Sequence, residues 1–84
     1  MQLVNVGYGN MVNAQRLVAM VAPDSAPARR MIQDARDDNH VIDATCGKRT
    51  RSVLIMDTGH LILSPLQLET MTGRLEEKNH PRTE

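Results

Sequence analysis

The protein has 84 residues, ten basic and ten acidic side chains and no net formal charge. It has no Trp, no Phe, one Tyr and a single cysteine, so aliphatic side chains must form the core and an internal disulfide is excluded. This length predicts one domain, and a domain this small is only marginally stable alone. Because a disulfide is excluded, we expect self-association to supply stability.

The N-terminal sequence MQLVNVGYGN lacks the basic start and long apolar stretch of a signal peptide. No apolar run approaches the roughly 20 residues that cross a bilayer. Together with the low cysteine content, these features predict a cytoplasmic protein in a reducing compartment, without a membrane partner.

Two strands are predicted before residue 23. Residues 2–6 form the first, which the GYG segment ends. The second lies within residues 12–22, where the run LVAMVA after Arg16 is apolar on both strand faces. This pattern predicts a strand that is covered on both sides.

Residues 24–39, DSAPARRMIQDARDDN, predict a helix. Asp24 or Ser25 is suited to the N-cap, and Pro27 falls in the first turn, where a missing N–H costs nothing. Asn39 is the expected C-terminal stop. One apolar stripe is formed by Ala28, Met31, Ile32 and Ala35.

The next segment predicts a strand and then a β-hairpin. The strands are expected at residues 40–45, 51–57 and 60–64. Thr58 and Gly59 are interpreted as a two-residue loop, with Gly at a position that favours positive φ. This register would place Ile55 opposite Ile62, and Asp57 opposite His60.

A second helix is expected to open at Ser64–Pro65 and to carry Leu68, Met71 and Leu75. Residues 1–77 are predicted to form the single domain, and residues 78–84 a polar tail. The element order predicts an α+β fold with short antiparallel strands and two helices. Because the last two strands are apolar on both faces, we expect part of the sheet to be covered by another subunit.

Two apparent nucleotide motifs fail on inspection. A phosphate loop ending at GKRT would need Gly at Ile42 and Ser or Thr at Arg49. A dinucleotide fingerprint starting at GYG would need Gly at Val12. We therefore expect no nucleotide cofactor.

The potential metal ligands and nucleophiles are His40, Cys46, His60 and His80. Their spacing matches no metal-binding motif, and nothing in the sequence activates Cys46 as a nucleophile. We predict no metal, no cofactor, no small-molecule substrate and no enzymatic activity.

The segment TCGKRTRSVLIM places three cations, Lys48, Arg49 and Arg51, directly before a predicted strand. No acid lies between Ala44 and Met56, although acids outnumber bases just before this segment. Arg49 and Arg51 are two positions apart, so they should project to the same side and suit contacts along a phosphate backbone. The alternative is an ordinary solvated turn.

The first predicted helix has Arg29 and Arg30 near its N-terminus and Asp37 and Asp38 at its C-terminus. Both placements oppose the helix macrodipole. The arginines either bind an anion or pair head-to-tail with the aspartates of another subunit. The remaining alternative is an exposed face with an Arg30–Asp34 pair.

The scarcity of aromatic residues favours one kind of nucleic acid. Proteins that bind single strands stack bases on aromatic side chains, and only Tyr8 is available. Duplex DNA is bound through its phosphates without such a platform. Double-stranded DNA is therefore the predicted partner.

The segments NVGYGNMV, PDSAPARRMIQDAR, DATCGKRTRSVLIMD and HLILS closely resemble the RemA family of bacterial extracellular matrix regulatory proteins, over roughly residues 3–75. The resemblance implies a DNA-binding transcriptional regulator of matrix and biofilm genes, with a LytTR-like fold. It also implies a ring-like homo-oligomer with a repeated basic surface around which DNA bends, on the bacterial nucleoid.

By position, the resemblance implies that Arg16 is functionally important and that Lys48 and Arg49, with Arg51 beside them, form the basic pair of the family. Lys48 has the positive charge of an arginine but lacks its bidentate geometry. A contact with a phosphate is therefore favoured over base reading at this position. We predict that these four residues bind DNA, with Arg29 and Arg30 as weaker candidates. The alternative is an oligomeric scaffold without direct DNA binding.

Overall fold

The computed structural model describes the backbone of residues 1–79 and the side chains of residues 1–76. The elements are, in chain order, β1 Leu3–Asn5, β2 Met11–Asn13, a 3-10 turn Ala14–Arg16, β3 Leu17–Val21, α1 Ala26–Asp37, β4 Val41–Asp43, β5 Ser52–Met56, β6 Leu61–Ser64 and α2 Leu68–Asn79. Within the predicted tail, positions 78 and 79 belong to α2, and positions 80–84 lie outside the described residues.

The strands form two sheets. β1 and β2 pair as an antiparallel hairpin, and the second sheet has the strand order β3-β5-β6-β4. β3 and β6 both run antiparallel to β5, whereas β4 runs parallel to β6. The α+β class with two helices is confirmed, but the prediction of antiparallel strands is wrong for β4.

Helix α1 matches its predicted start and stop. The Ser25 hydroxyl accepts the backbone N–H of Ala28 at 3.2 Å, which makes Ser25 the N-cap, and Pro27 lies in the first turn. The helix ends at Asp37, and Asn39 follows with a φ of 60°, a left-handed conformation that Asn tolerates after a helix.

Both faces of the central strands β5 and β6 are covered within one protomer. On one face, α1 packs Met31, Ile32 and Ala35 against alternate residues of these strands. On the other face, α2 and the β1–β2 hairpin cover Leu54 and Ile62. The expectation that two helices leave part of this sheet for another subunit is therefore wrong for β5 and β6. The β1–β2 hairpin, which the sequence did not reveal, supplies the missing cover.

The β5–β6 hairpin has a different register from the predicted one. Ile55 lies opposite Leu61, not Ile62, and the Met56 N–H donates to the His60 carbonyl at 3.0 Å, so Asp57 does not face His60. The loop has three residues, 57–59, and ends with Gly59 at a φ of 90°. A three-residue loop of this type places a left-handed Gly last, and the one-residue difference shifts every cross-strand pair.

The single strand predicted within residues 12–22 is interrupted. Asn13 accepts the Gln15 N–H at 3.1 Å and caps the 3-10 turn that separates β2 from β3. β3 is an edge strand with a register shift between Leu17 and Ala19, and Val18 is 66% exposed there. The prediction that this strand is covered on both sides is wrong.

Helix α2 starts later than predicted. Ser64 is the last residue of β6, and α2 begins at Leu68. Between them, the Leu66 N–H donates to the Ser64 hydroxyl at 3.1 Å, which bends the chain out of the strand before the helix starts. Within α2, Met71 is fully buried in the core, and Leu75 packs against the same cluster.

Candidate nucleic-acid interface

An open groove of about 500 Å³ lies at the end of the sheet where β5 begins. Four cations contribute to its walls, and we call it the basic groove. Its lining residues are Asn5, Gly7, Tyr8, Lys48, Arg49, Arg51, Pro65, Leu66 and Arg74. No carboxylate of the described side chains, residues 1–76, is among them, so within that part of the chain the positive charge of these walls has no acidic counterpart.

The loop that carries Lys48 is anchored by Asp43 at the end of β4. The Asp43 carboxylate accepts the Thr45 hydroxyl at 2.6 Å and the Thr45 N–H at 2.9 Å. These hydrogen bonds, with a smaller contribution from the charge of Arg36, lower the pKa of Asp43. The backbone carbonyl of Thr45 then accepts the Lys48 N–H at 2.9 Å, so the turn that leads to the three cations is fixed.

Two buried hydroxyl groups form the floor beneath the groove. Ser64 donates to the Val6 carbonyl at 2.7 Å and thereby joins β6 to the segment after β1. Ser52 donates to the Leu66 carbonyl at 2.7 Å and joins the start of β5 to the segment before α2. Both serines are completely buried, so their hydroxyl groups cannot bond to water. Without these two bonds the hydroxyl groups would be left unsatisfied. The floor is a rigid junction of three chain segments.

Sequence reasoning missed Arg74 as part of this site. Its Nη1 donates to the Asn5 carbonyl at 2.7 Å, which ties α2 to β1 and holds the guanidinium in the groove wall. The residue lies 23 positions beyond Arg51, and only the packing of α2 brings it here. The one sequence feature that could have indicated this residue is its position as a cation after Gly73, in a predicted helix with a short apolar stripe.

A smaller cavity of about 140 Å³ adjoins the basic groove. Arg49 and Arg51 line both cavities, together with Thr50, Gln67 and the segment that leads into α1. Both arginines were predicted to project to one side from the start of a strand, but they lie before β5, which begins at Ser52. One acid, Asp24, lines the smaller cavity.

Lys48, Arg49 and Arg51 are exposed, and none has a carboxylate within salt-bridge distance among the described side chains, residues 1–76. Exposed cations without acidic partners are available to an external anion. Because their backbone is anchored, binding an anion would order only the side chains.

Arg16 does not join the basic groove within one protomer. Its backbone carbonyl accepts the Asp57 N–H at the far end of β5, and its Nη1 lies 3.3 Å from the Asp57 carboxylate. Asp57 lies six positions beyond Arg51 along an extended chain, about 20 Å at roughly 3.3 Å per position. The structure thus places Arg16 apart from the three cations with which it was grouped.

Arg29 and Arg30 are exposed in the first turns of α1 and line neither cavity. Among the described side chains, Arg30 forms no salt bridge with Asp34, so the predicted pair is absent there. At the other end of α1, Asp37 accepts the Gln33 amide at 3.1 Å.

The histidines and the cysteine are dispersed, apart from one pair. The rings of His40 and His60 meet edge to face with centroids 4.8 Å apart, and Thr58 shares a 2.7 Å hydrogen bond with His60. Cys46 is exposed in the loop before β5. His80 lies outside the described residues. Among the described residues, no group of three His, Cys, Asp or Glu side chains is arranged to hold a metal ion.

Comparisons with known proteins identify the family. A family model for proteins like extracellular matrix regulatory protein A, the RemA-like family, matches residues 3–75. The chain belongs to the RemA-like family. Curated relatives of this RemA-like protein from Bacillus cytotoxicus, Bacillus mycoides and Bacillus anthracis each carry the name "Putative regulatory protein". Each is 51% identical over 78 residues, which cover 93% of this chain and 90% of the relative.

The family and the names of these relatives support a regulatory role. Neither α1 nor α2, over the residues described, is long and apolar enough to span a membrane.

Proposed function

We propose that this RemA-like protein is a transcriptional regulator that binds double-stranded DNA through the basic groove. The observation that carries the proposal is the set of four cations, Lys48, Arg49, Arg51 and Arg74, around a groove that no carboxylate of the described side chains lines. Such a surface suits the phosphate backbone, which supplies most of the affinity of proteins for duplex DNA. In this role the protein is not an enzyme, acts in the cytoplasm on the nucleoid, and controls matrix and biofilm genes.

The proposal includes assembly into a ring-like homo-oligomer of LytTR-like domains. Both edge strands of the larger sheet expose apolar side chains, Val18 on β3 and Ile42 on β4, with 66% and 51% exposure. An open edge with apolar side chains favours pairing with another chain. Because the two edges differ, contact between them would be head-to-tail, which closes into a ring when the rotation permits. A ring would repeat the basic groove once per subunit.

Arg29 and Arg30 are secondary candidates for contact with DNA in this proposal, and so is Arg16, which lies apart from the basic groove. Arg29 and Arg30 face either DNA or the aspartates at the end of α1 in a neighbouring subunit. Reversing the charges of Asp37 and Asp38 should weaken assembly in the second case, and reversing Arg29 and Arg30 as well should restore it. Unchanged oligomer size would assign the arginines to DNA or solvent.

A second candidate function is an oligomeric scaffold that does not bind DNA. The exposed apolar side chains at both sheet edges favour it, since they suit self-association alone. Lys48, Arg49 and Arg51, which have no acidic partner among the described side chains, favour the DNA-binding proposal, because a scaffold has no need of clustered cations without acids beside them.

Titration of the protein against one duplex at several salt concentrations, with sedimentation in parallel, separates the two functions. The proposal expects tight binding at low salt that weakens steeply as salt rises, by a species heavier than 9.4 kDa. A single strand of the same sequence should bind less tightly. A large assembly that does not bind the duplex even at low salt would favour the scaffold and overturn the proposal.

A further inference from the structure

Tyr8 is the only Phe, Trp or Tyr of the chain, and it is exposed on the wall of the basic groove. Its exposed fraction is 58%, so the ring contributes little to the core. In a chain this poor in aromatic residues, the core is where a lone ring would stabilise the fold most. Its location among the cations therefore has no evident structural benefit.

The backbone of Tyr8 is also strained. Its φ is 53°, in the left-handed region that a bulky side chain rarely occupies. Asn39 has a similar φ of 60°, but it follows a helix and belongs to a residue type that tolerates this conformation. Tyr8 has neither explanation. Backbone strain of this kind persists where the surroundings impose it, and it is concentrated at functional sites.

The surroundings do impose it here. The turn is closed by the Val6 N–H donating to the Asn10 carbonyl at 2.8 Å and the Asn10 N–H donating to the Gly7 carbonyl at 3.0 Å. The Asn5 side chain accepts the Gly7 N–H at 2.7 Å, and a Cβ on Gly7 would lie 2.8 Å from the ring of Pro65. This turn fixes the backbone from which the Tyr8 side chain reaches the groove wall.

We propose that Tyr8 contacts the bound nucleic acid directly, with its ring packed against the deoxyribose of a strand whose phosphates are held by Lys48, Arg49, Arg51 and Arg74. This inference rests on the proposed DNA binding. The faces of paired bases are inaccessible in a duplex, whereas the sugars are exposed between the phosphates and offer an apolar surface. A tyrosine has only two side-chain torsions to order, so it loses little entropy on such contact and supplies a large apolar surface.

Contact with a sugar differs from contact with a phosphate in its salt dependence. Each neutralised phosphate releases counterions and adds roughly 0.9 to the slope of log affinity against log salt. Apolar contact with a sugar releases none. Tyr8 therefore adds affinity that persists at high salt, and the four cations supply the part that salt removes.

The test compares the full-length protein with Tyr8→Asn, Tyr8→Phe and the control Met11→Asn, by titration of one duplex across salt concentrations. Met11 is 50% exposed on the same β1–β2 hairpin but does not line the groove. Met11→Asn therefore also replaces a large exposed side chain of this hairpin by Asn, but outside the groove. We expect Tyr8→Asn to lose about tenfold in affinity at every salt concentration with an unchanged slope. Tyr8→Phe and Met11→Asn should stay within about twofold of the parent.

Melting temperature makes the test independent of folding. Asn tolerates the left-handed conformation better than Tyr, so Tyr8→Asn should melt at the same temperature as the parent or higher. Unchanged affinity of Tyr8→Asn would overturn the inference while leaving the proposed function intact. A reduced slope would also overturn it, because Tyr8 would then act through the neighbouring cations. A loss in Tyr8→Phe equal to that in Tyr8→Asn would assign the effect to the hydroxyl and overturn the ring contact. Absence of duplex binding by the parent would instead refute the proposed function itself.

Discussion

The two ends of the β5–β6 hairpin carry similar charges in different settings. At the loop end, Arg16 forms an exposed ion pair with Asp57, and a Cβ on Gly59 would meet nothing within 4 Å. At the groove end, Arg51 precedes β5 without an acidic partner among the described side chains, above a floor of buried serine hydrogen bonds. An exposed cation paired with an exposed acid is typical of a surface. Unpaired cations on a rigid floor are typical of a binding site, and this difference supports the groove as the functional end.

The largest predicted effect concerns the glycines at the two ends. Gly7→Ala combines a φ of 123° with a Cβ only 2.8 Å from Pro65, so we expect a destabilisation of about 2–4 kcal/mol. Gly59→Ala has a φ of 90° but open space around its Cβ, so about 1–2 kcal/mol is expected. Urea unfolding of both variants measures the difference. Equal losses would show that the groove end is no more tightly built than the loop end.

The buried hydroxyl groups provide the next contrast. Ser64→Ala leaves the Val6 carbonyl and the Leu66 N–H without their partner, which should destabilise the protein by about 1–3 kcal/mol. Thr58→Ala removes an exposed hydrogen bond to His60 and should change stability by less than about 0.5 kcal/mol. Thermal unfolding at one protein concentration is the measurement, because assembly makes the melting temperature concentration-dependent. A neutral Ser64→Ala would argue against a rigid floor.

Replacement of Arg16 tests the loop end directly. The side chains of Arg16 and Asp57 are 60% and 43% exposed, so Arg16→Ala should lower stability by less than about 1 kcal/mol. The double variant with Asp57→Ala isolates the pair, and a double-mutant cycle in urea gives its coupling. A coupling well above this limit would mean that the ion pair organises the loop.

The smallest effect is the pH dependence of the loop before β5. The pKa of Asp43 is lowered in the folded protein, chiefly by hydrogen bonds from Thr45. The ionised carboxylate therefore contributes stability that is fully present above the ordinary value of 3.8 and is lost as pH falls through the folded pKa. Asp43→Asn should be less stable than the parent at pH 7, and the difference should shrink below pH 3.8. A difference that is constant with pH would contradict this role.

The sequence predicted the elements whose signals are local. The ends of α1 are specified by Ser25 as N-cap, by Pro27 in the first turn and by Asn39, a residue type that can adopt positive φ after a helix. The structure uses all three. The register of the β5–β6 hairpin was missed because Thr58–Gly59 fits a two-residue loop as well as the end of a three-residue loop. Only the cross-strand pairs decide between them.

The candidate site was predictable in part. The cations before β5 stand next to one another in sequence, so their clustering needed no fold. Arg74 and Tyr8 reach the groove only through the packing of α2 and the turn after β1, which no local pattern encodes. Arg16 was grouped with the other cations because the family resemblance implied a role for it, but antiparallel pairing of β3 with β5 places it at the opposite end.

The most direct test of the central claim is the salt dependence of duplex binding by Arg49→Ala. The matched control is Arg36→Ala, an exposed arginine in α1 that lines neither cavity. If Arg49 contacts phosphate, its loss should reduce the slope of log affinity against log salt by roughly 0.9 for every subunit that touches one DNA molecule, and by several units in a ring. Oligomer size and melting temperature should stay unchanged, and Arg36→Ala should match the parent. Unchanged affinity of Arg49→Ala at every salt concentration would contradict the account and leave the basic segment a solvated turn.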